Sequence, residues 1–189
     1  MKFVTRGRAW LLVPMTLIVA ALVVPAAIAD PVTGGKTVLK FDQSTGEGFA
    51  DMSIGIDTTG AAQSKKRGFN FPISGGDVKK GPKGTITHRG GLAFFTEGGP
   101  GVKFTKFEVK IGKNKTKLFA KSGGATVRFI DLDLSDATIG GSAGTDLKIK
   151  GADATLAKAG AQVLSKTFNF PFHKGIPLGT VTVKAQLSS

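Results

Sequence analysis

Glycine pairs punctuate this chain. Gly75-Gly76, Gly90-Gly91, Gly98-Gly99, Gly123-Gly124 and Gly140-Gly141 recur at short intervals, and apolar runs rich in Val, Ile, Phe and Thr lie between them. Short strands closed by Gly-rich turns predict an all-β domain, read here as a β-sandwich of antiparallel strands.

The strands follow from alternation of apolar residues. The spacing predicts strands over 37–41, 53–58, 69–73, 83–88, 91–96, 102–111, 117–120, 126–134 and 146–150. Pro72 points to an edge position or a strand end, because proline cannot donate to a ladder. Residues 83–88 and 91–96 read as a hairpin around Arg89-Gly90. Between 102 and 111 the apolar phase changes: Val102 and Phe104 share one face, whereas Phe107, Val109 and Ile111 share the other. A β-bulge near Thr105-Lys106 reconciles the two. Residues 128–134 read as a central strand, with Asp131 and Asp133 opposite Ile130, Leu132 and Leu134.

Two segments have helical spacing. Residues 154–168 carry Leu156, Ala161, Leu164 and Phe168 on one side, with Asp153 placed as N-cap. A short N-terminal helix over 44–52 places Phe49 and Met52 together. A local echo also exists: Ala62-Gln63 to Phe69-Asn70-Phe71-Pro72 resembles Ala161-Gln162 to Phe168-Asn169-Phe170-Pro171.

Residues 1–29 read as a signal peptide. Lys2, Arg6 and Arg8 form a basic start, an uncharged apolar run follows, and Ala27-Ile28-Ala29 is the small-x-small pattern of a cleavage site. The alternative is a retained membrane anchor, since 9–29 carries no charge. Cleavage leaves no stable membrane span. Residues 30–35 then form a short linker, and 36–187 a single domain. Removing 29 of 189 residues takes three Lys/Arg and no Asp/Glu, so the net charge falls from +13 to +10. So basic a chain is drawn to polyanions, acidic cell-wall polymers among them, unless its lysines only solvate strand faces.

Catalytic and metal chemistry are poorly supplied. The chain has no Cys and no Tyr, and its only Trp, Trp10, lies in the expected leader. That removes thiolate sites, disulfides and aromatic sugar platforms. The two histidines, His88 and His173, show no metal-ligand spacing. Asp131 and Asp133 share a face, which suits either a cation or plain solvation. No nucleophile elbow, P-loop or dinucleotide fingerprint occurs, and the chain reads as a non-enzyme. Lys65-Lys66-Arg67, Lys79-Lys80-Gly81-Pro82-Lys83 and 110–117 are basic clusters. Phe is the only stacking residue left, so nucleic acid is not the expected partner. Asn114-Lys115-Thr116 matches a glycosylation sequon.

The stretch Gly84-Thr85-Ile86-Thr87-His88-Arg89-Gly90-Gly91-Leu92 resembles a turn of the haem-transport-associated, HtaA-like domains of secreted actinobacterial proteins. Val102-x-Phe104-x-x-Phe107-x-Val109 and Leu132-Asp133-Leu134-Ser135 are similar to the strands that follow it there. Residues 154–168 and Gly175-x-Pro177-Leu178-Gly179-Thr180 are similar to the family's last helix and strand. The resemblance spans roughly 69–183 and is closest to short single-domain members. It implies a secreted, extracellular β-domain, often cell-wall-associated. It also implies haem binding through an axial Tyr supported by a His. This chain has no Tyr, which leaves only His88, His173 or Met52 for iron.

Two readings follow. In the first, the chain is a binding module that holds haem or another planar apolar ligand in a Phe-lined cleft, with His88, Arg89, Phe94 and Phe104 as candidate ligand-binding residues and His88 as the axial candidate. In the second, it is a structural or adhesive surface protein whose basic faces hold acidic wall polymers.

Overall fold

A computed structural model describes residues 29–188, apart from 66–67, 80–82, 113–114 and 142–144. Residues 1–28 of the expected leader, the sequon's Asn114 and parts of all three basic clusters lie outside the described residues. Twelve strands and two helices follow in the order β1 (Asp30–Phe41), α1 (Gln43–Asp51), β2 (Gly55–Thr59), β3 (Gln63–Lys65), β4 (Gly68–Lys79), β5 (Lys83–His88), β6 (Gly91–Phe95), β7 (Gly101–Ile111), β8 (Thr116–Ser122), β9 (Ala125–Asp133), β10 (Thr138–Gly140), β11 (Asp146–Leu156), α2 (Lys158–Phe168) and β12 (Pro177–Leu187).

The chain is all-β with two helices, but it is a barrel and not a sandwich. Eight antiparallel strands run β7-β5-β4-β1-β12-β11-β9-β8, and β8 pairs back onto β7 to close the ring. Closure removes the free edges that a sandwich must protect. It also changes the meaning of Pro72. That residue sits in β4, between β1 and β5, and its carbonyl accepts the Arg89 N–H at 2.9 Å. The segment 30–35, expected as a linker, belongs to β1, where Asp30 and Pro31 pair with Val78 and Asp77.

The expected hairpin at Arg89-Gly90 is absent. β5 and β6 lie end to end along the same flank of β7: Thr87 pairs with Glu108 and Gly91 with Thr105. The glycines are there for close approach, not for a tight turn. A Cβ on Gly91 would come within 2.0 Å of the Phe104 carbonyl oxygen, and one on Gly90 within 2.4 Å of the Ala62 nitrogen. The real hairpin is β6–β7, closed over Thr96–Pro100.

The bulge in β7 falls where the phase change puts it. Lys106 has φ +50°, and the β7–β8 register shifts between Thr105 and Glu108. The extra residue turns both Phe104 and Phe107 inward. α1 forms as expected, with Phe49 buried. The second helix is shorter than its periodicity suggests. Ala152, Ala154 and Leu156 alternate inward as part of β11, so the helix begins at Lys158 after Ala157, and Asp153 does not cap it. The echo between 62–72 and 161–171 is not a structural repeat, since one copy lies in β3–β4 and the other in α2 and its exit.

β1 runs into α1, β11 into α2, and β5 into β6, all at one end of the barrel. Ring contacts lead from the barrel interior to that end, through Phe71, Phe107, Phe129, Phe104, Phe94 and Phe49. The tightest is Phe104 on Phe129, stacked with centroids 4.0 Å apart. α2 closes over this column, and a Cβ on Gly160 would meet the Phe129 carbonyl oxygen at 2.7 Å.

Candidate functional site

His88 is the last residue of β5, and the barrel carries its ring inside, 5% exposed. Nδ1 lies 3.2 Å from the Phe107 carbonyl oxygen, and Nε2 lies 2.7 Å from the Thr37 hydroxyl. A carbonyl only accepts, so the proton sits on Nδ1 and the Thr37 hydroxyl donates to Nε2. Both ring nitrogens are therefore used. Burial pushes the pKa down to about 4, against a smaller opposing effect of the Phe107 carbonyl, and the ring is neutral at physiological pH. Thr37, Leu39, Phe71, Phe107, Leu118, Ile130 and Val181 surround it. The space left among them is about 10 Å³, no more than one water needs.

The other face of the same place is open. A groove of about 400 Å³ lies outside β5, β7 and β8, over the β7 bulge. Phe107, Phe119 and Ala120 supply its apolar surface, Lys106 and Lys121 its cations, and Glu108 an anion. His88 shows an edge to it. The bulge makes the groove, because the register shift at Thr105/Glu108 separates β7 from β8 there. Lys110 Nζ sits 5.0 Å from the Phe119 ring centroid and 3.0 Å from Glu108.

The candidate residues named from sequence do not converge. Arg89 is exposed, next to His88 in the chain, with its backbone tied to Pro72. Phe94 and Phe104 touch each other, with ring centroids 5.8 Å apart, but both are fully buried in the aromatic column and line neither space beside His88. His173 is exposed after Pro171, and Met52 caps α1. Lys106, Phe119 and Lys121 were missed. The phase change at Thr105-Lys106 was the one signal that pointed toward them. Asp131 accepts a hydrogen bond from Arg128, and Asp133 accepts one from the Ser135 N–H, which holds its carboxyl below the usual range. Among the described residues no group of three or more His, Asp or Glu is arranged to hold a metal ion.

The profile of the HtaA family, described as "Htaa", matches residues 41–176. The chain belongs to the HtaA family. Solved structures share the fold. The C-terminal domain of HtaA from Corynebacterium glutamicum aligns with TM-score 0.66 at 18% identity, covering 84% of this chain and 99% of that one. The N-terminal domain of the same protein aligns with TM-score 0.65 at 14% identity, over 84% and 99%. The heme binding protein HtaB from the same organism aligns with TM-score 0.55 at 10% identity, over 85% and 96%. A search of curated proteins returns no match.

Proposed function

We propose that this chain is a secreted, cell-surface-associated, non-enzymatic binding module that takes haem or a similar planar apolar acid in the groove over the β7 bulge, without ligating iron. The groove carries this reading. Its volume falls in the usual range for small-molecule sites, about 300–1,000 Å³, and its make-up of apolar floor and few charges is typical of them. Lys106 and Lys121 suit the carboxylates of a porphyrin, and the half-buried Phe119 suits its ring. The family and the heme binding relative HtaB favour haem as the ligand.

Iron ligation does not fit the donors at this site. The chain has no Tyr and no Cys, and both nitrogens of His88 are engaged inside the barrel. Binding then rests on the ring and the carboxylates. Among the described residues no helix is long and apolar enough to cross a membrane, and secretion rests on the leader read in residues 1–29.

The test is an absorbance titration with haemin and with iron-free protoporphyrin. Both are expected to bind, with affinities within about threefold of each other. Lys121→Glu and Phe119→Ala are each expected to weaken both ligands about tenfold, which is about 1.4 kcal/mol. Haemin binding far tighter than the iron-free ring, and lost in His88→Ala, would overturn the ligation-free reading. Binding of neither would remove the groove as a porphyrin site.

A further inference from the structure

Three lysines stand side by side on the opposite wall of the barrel. Lys36 in β1 is the register partner of Lys184 in β12, and Lys184 is the register partner of Lys148 in β11. All three side chains are on the outer face, because Thr37, Leu39, Val183, Ala185, Leu147 and Ile149 are buried on the inner one. Adjacent strands lie about 4.8 Å apart, so the row spans about 10 Å.

Like charges directly opposed across strands are destabilising. A second basic row on the barrel also opposes two lysines, Lys110 in β7 and Lys117 in β8, but each has an acid beside it: Lys110 meets Glu108 at 3.0 Å, and the register partner of Lys117 in β9 is Asp131. In the first row Lys148 meets Asp146 at 2.6 Å, but among the described residues neither Lys36 nor Lys184 takes part in an ion pair. A groove of about 360 Å³ runs along the row, past Gly35, Lys36, Lys148, Lys184 and Gln186, with Asp146, the partner of Lys148, also in its wall. Its backbone is held tightly. Gly35 has φ +116°, and a Cβ there would come within 2.1 Å of the Lys184 carbonyl oxygen. Lys40 extends the same face along β1.

We propose that this lysine row is a docking strip for a linear polyanion. A single small anion neutralises one cation. Three cations at a fixed pitch of about 5 Å match a chain of repeated charges. A groove, unlike a flat patch, suits a strand of polymer more than a bilayer surface. The excess positive charge of the whole chain adds a long-range pull toward such a partner.

The experiment is fluorescence anisotropy of labelled linear polyphosphate with the full chain, from low salt to 0.3 M NaCl. With about 0.7 counterions released per contact, three contacts predict a log–log salt slope near 2 in magnitude. Replacing Lys36, Lys148 and Lys184 together by Gln is expected to abolish binding, and each single change to cut the slope by about 0.7. The triple variant should keep or raise the melting temperature, which separates lost binding from lost folding. Changing Lys103, Lys158 and Lys166 to Gln, the same loss of charge elsewhere, should leave binding within about twofold. An equal loss in that control would overturn the strip as a site. So would competition by inorganic phosphate at matched charge, or ladder-dependent sedimentation with phosphatidylserine vesicles while polyphosphate stays unbound. The strip shares no residue with the groove over the bulge, so a failed porphyrin titration leaves this result untouched.

Discussion

On the β5–β7–β8 side of the barrel the ladders are interrupted. The register shifts at Ile73/Gly75, at Thr105/Glu108 and at Leu118/Phe119. On the opposite side, the ladders are continuous where the lysines stand: β1 and β12 pair without interruption from Gly34–Gln186 to Phe41–Gly179, and β11 and β12 from Asp146–Gln186 to Ile149–Val183, the shifts in β11 falling further along at Ile149/Ala152 and Ala154/Thr155. A shift of one residue moves side chains to the other face. The broken side therefore brings residues of the inner layer, Phe107 and the edge of His88, to an outer groove. The regular side keeps its layers apart and lines up what the outer phase carries, three lysines in one row. One closed sheet thus makes two unlike surfaces by local register alone.

The largest expected effect tests whether the broken side is as well packed as the regular one. Phe104→Ala removes a fully buried ring stacked on Phe129 and should cost about 3–5 kcal/mol by denaturant unfolding. A cost near 1 kcal/mol would mean that the bulge leaves this core loosely packed.

The second test concerns His88. In the unfolded chain the imidazole titrates at about 6.5, and in the fold at about 4. Between these values only the unfolded state holds the proton. The contribution is therefore full above about pH 6.5 and is lost as pH falls toward 4, amounting to about 3 kcal/mol. The pH dependence of stability should be steeper in the parent chain than in His88→Phe over this window. Equal slopes would mean that the ring already meets water through the groove.

The third returns to the regular side. Gly35→Ala forces a Cβ against the Lys184 carbonyl at a positive φ and should cost more than about 1 kcal/mol. It should also weaken polyphosphate binding, because it separates β1 from β12 beside the lysine row. The smallest effect sharpens the contrast between the basic rows. Lys184→Gln should raise stability by about 0.2–1 kcal/mol at low salt. Lys110→Gln should not, because Glu108 already offsets that charge.

Much of the local structure was legible from residues alone. Alternation located most strands close to their observed places but not β3, β10 or the barrel strand β12, and the phase change at Thr105-Lys106 located the bulge, because both are properties of a single strand. Gly90-Gly91 was misleading. Glycine serves equally for a turn and for close backbone approach, and only the neighbouring Phe104 carbonyl and Ala62 nitrogen show which is needed here. Residues 154–156 fit a helix and a strand alike. Pairing of Ala154 with Gly179 and of Thr155 with Pro177 settles them as strand. At the site, His88 stood out in the sequence, but Phe94 and Phe104 proved to be core. An inward Phe in a strand reads the same whether it lines a cleft or fills a column.

The sequence by itself determined the β content, the outward placement of the lysines, and the absence of any Tyr or Cys that could ligate iron. Those are matters of composition and period. Tertiary structure decided the rest. Closure of β8 onto β7 turned the sheet into a barrel, folded His88 inward onto Thr37, and opened a groove outside it. Register between strands far apart in the chain set Lys36, Lys184 and Lys148 abreast. Such alignments depend on which strands pair and where the ladders slip, and single-strand patterns do not carry that information.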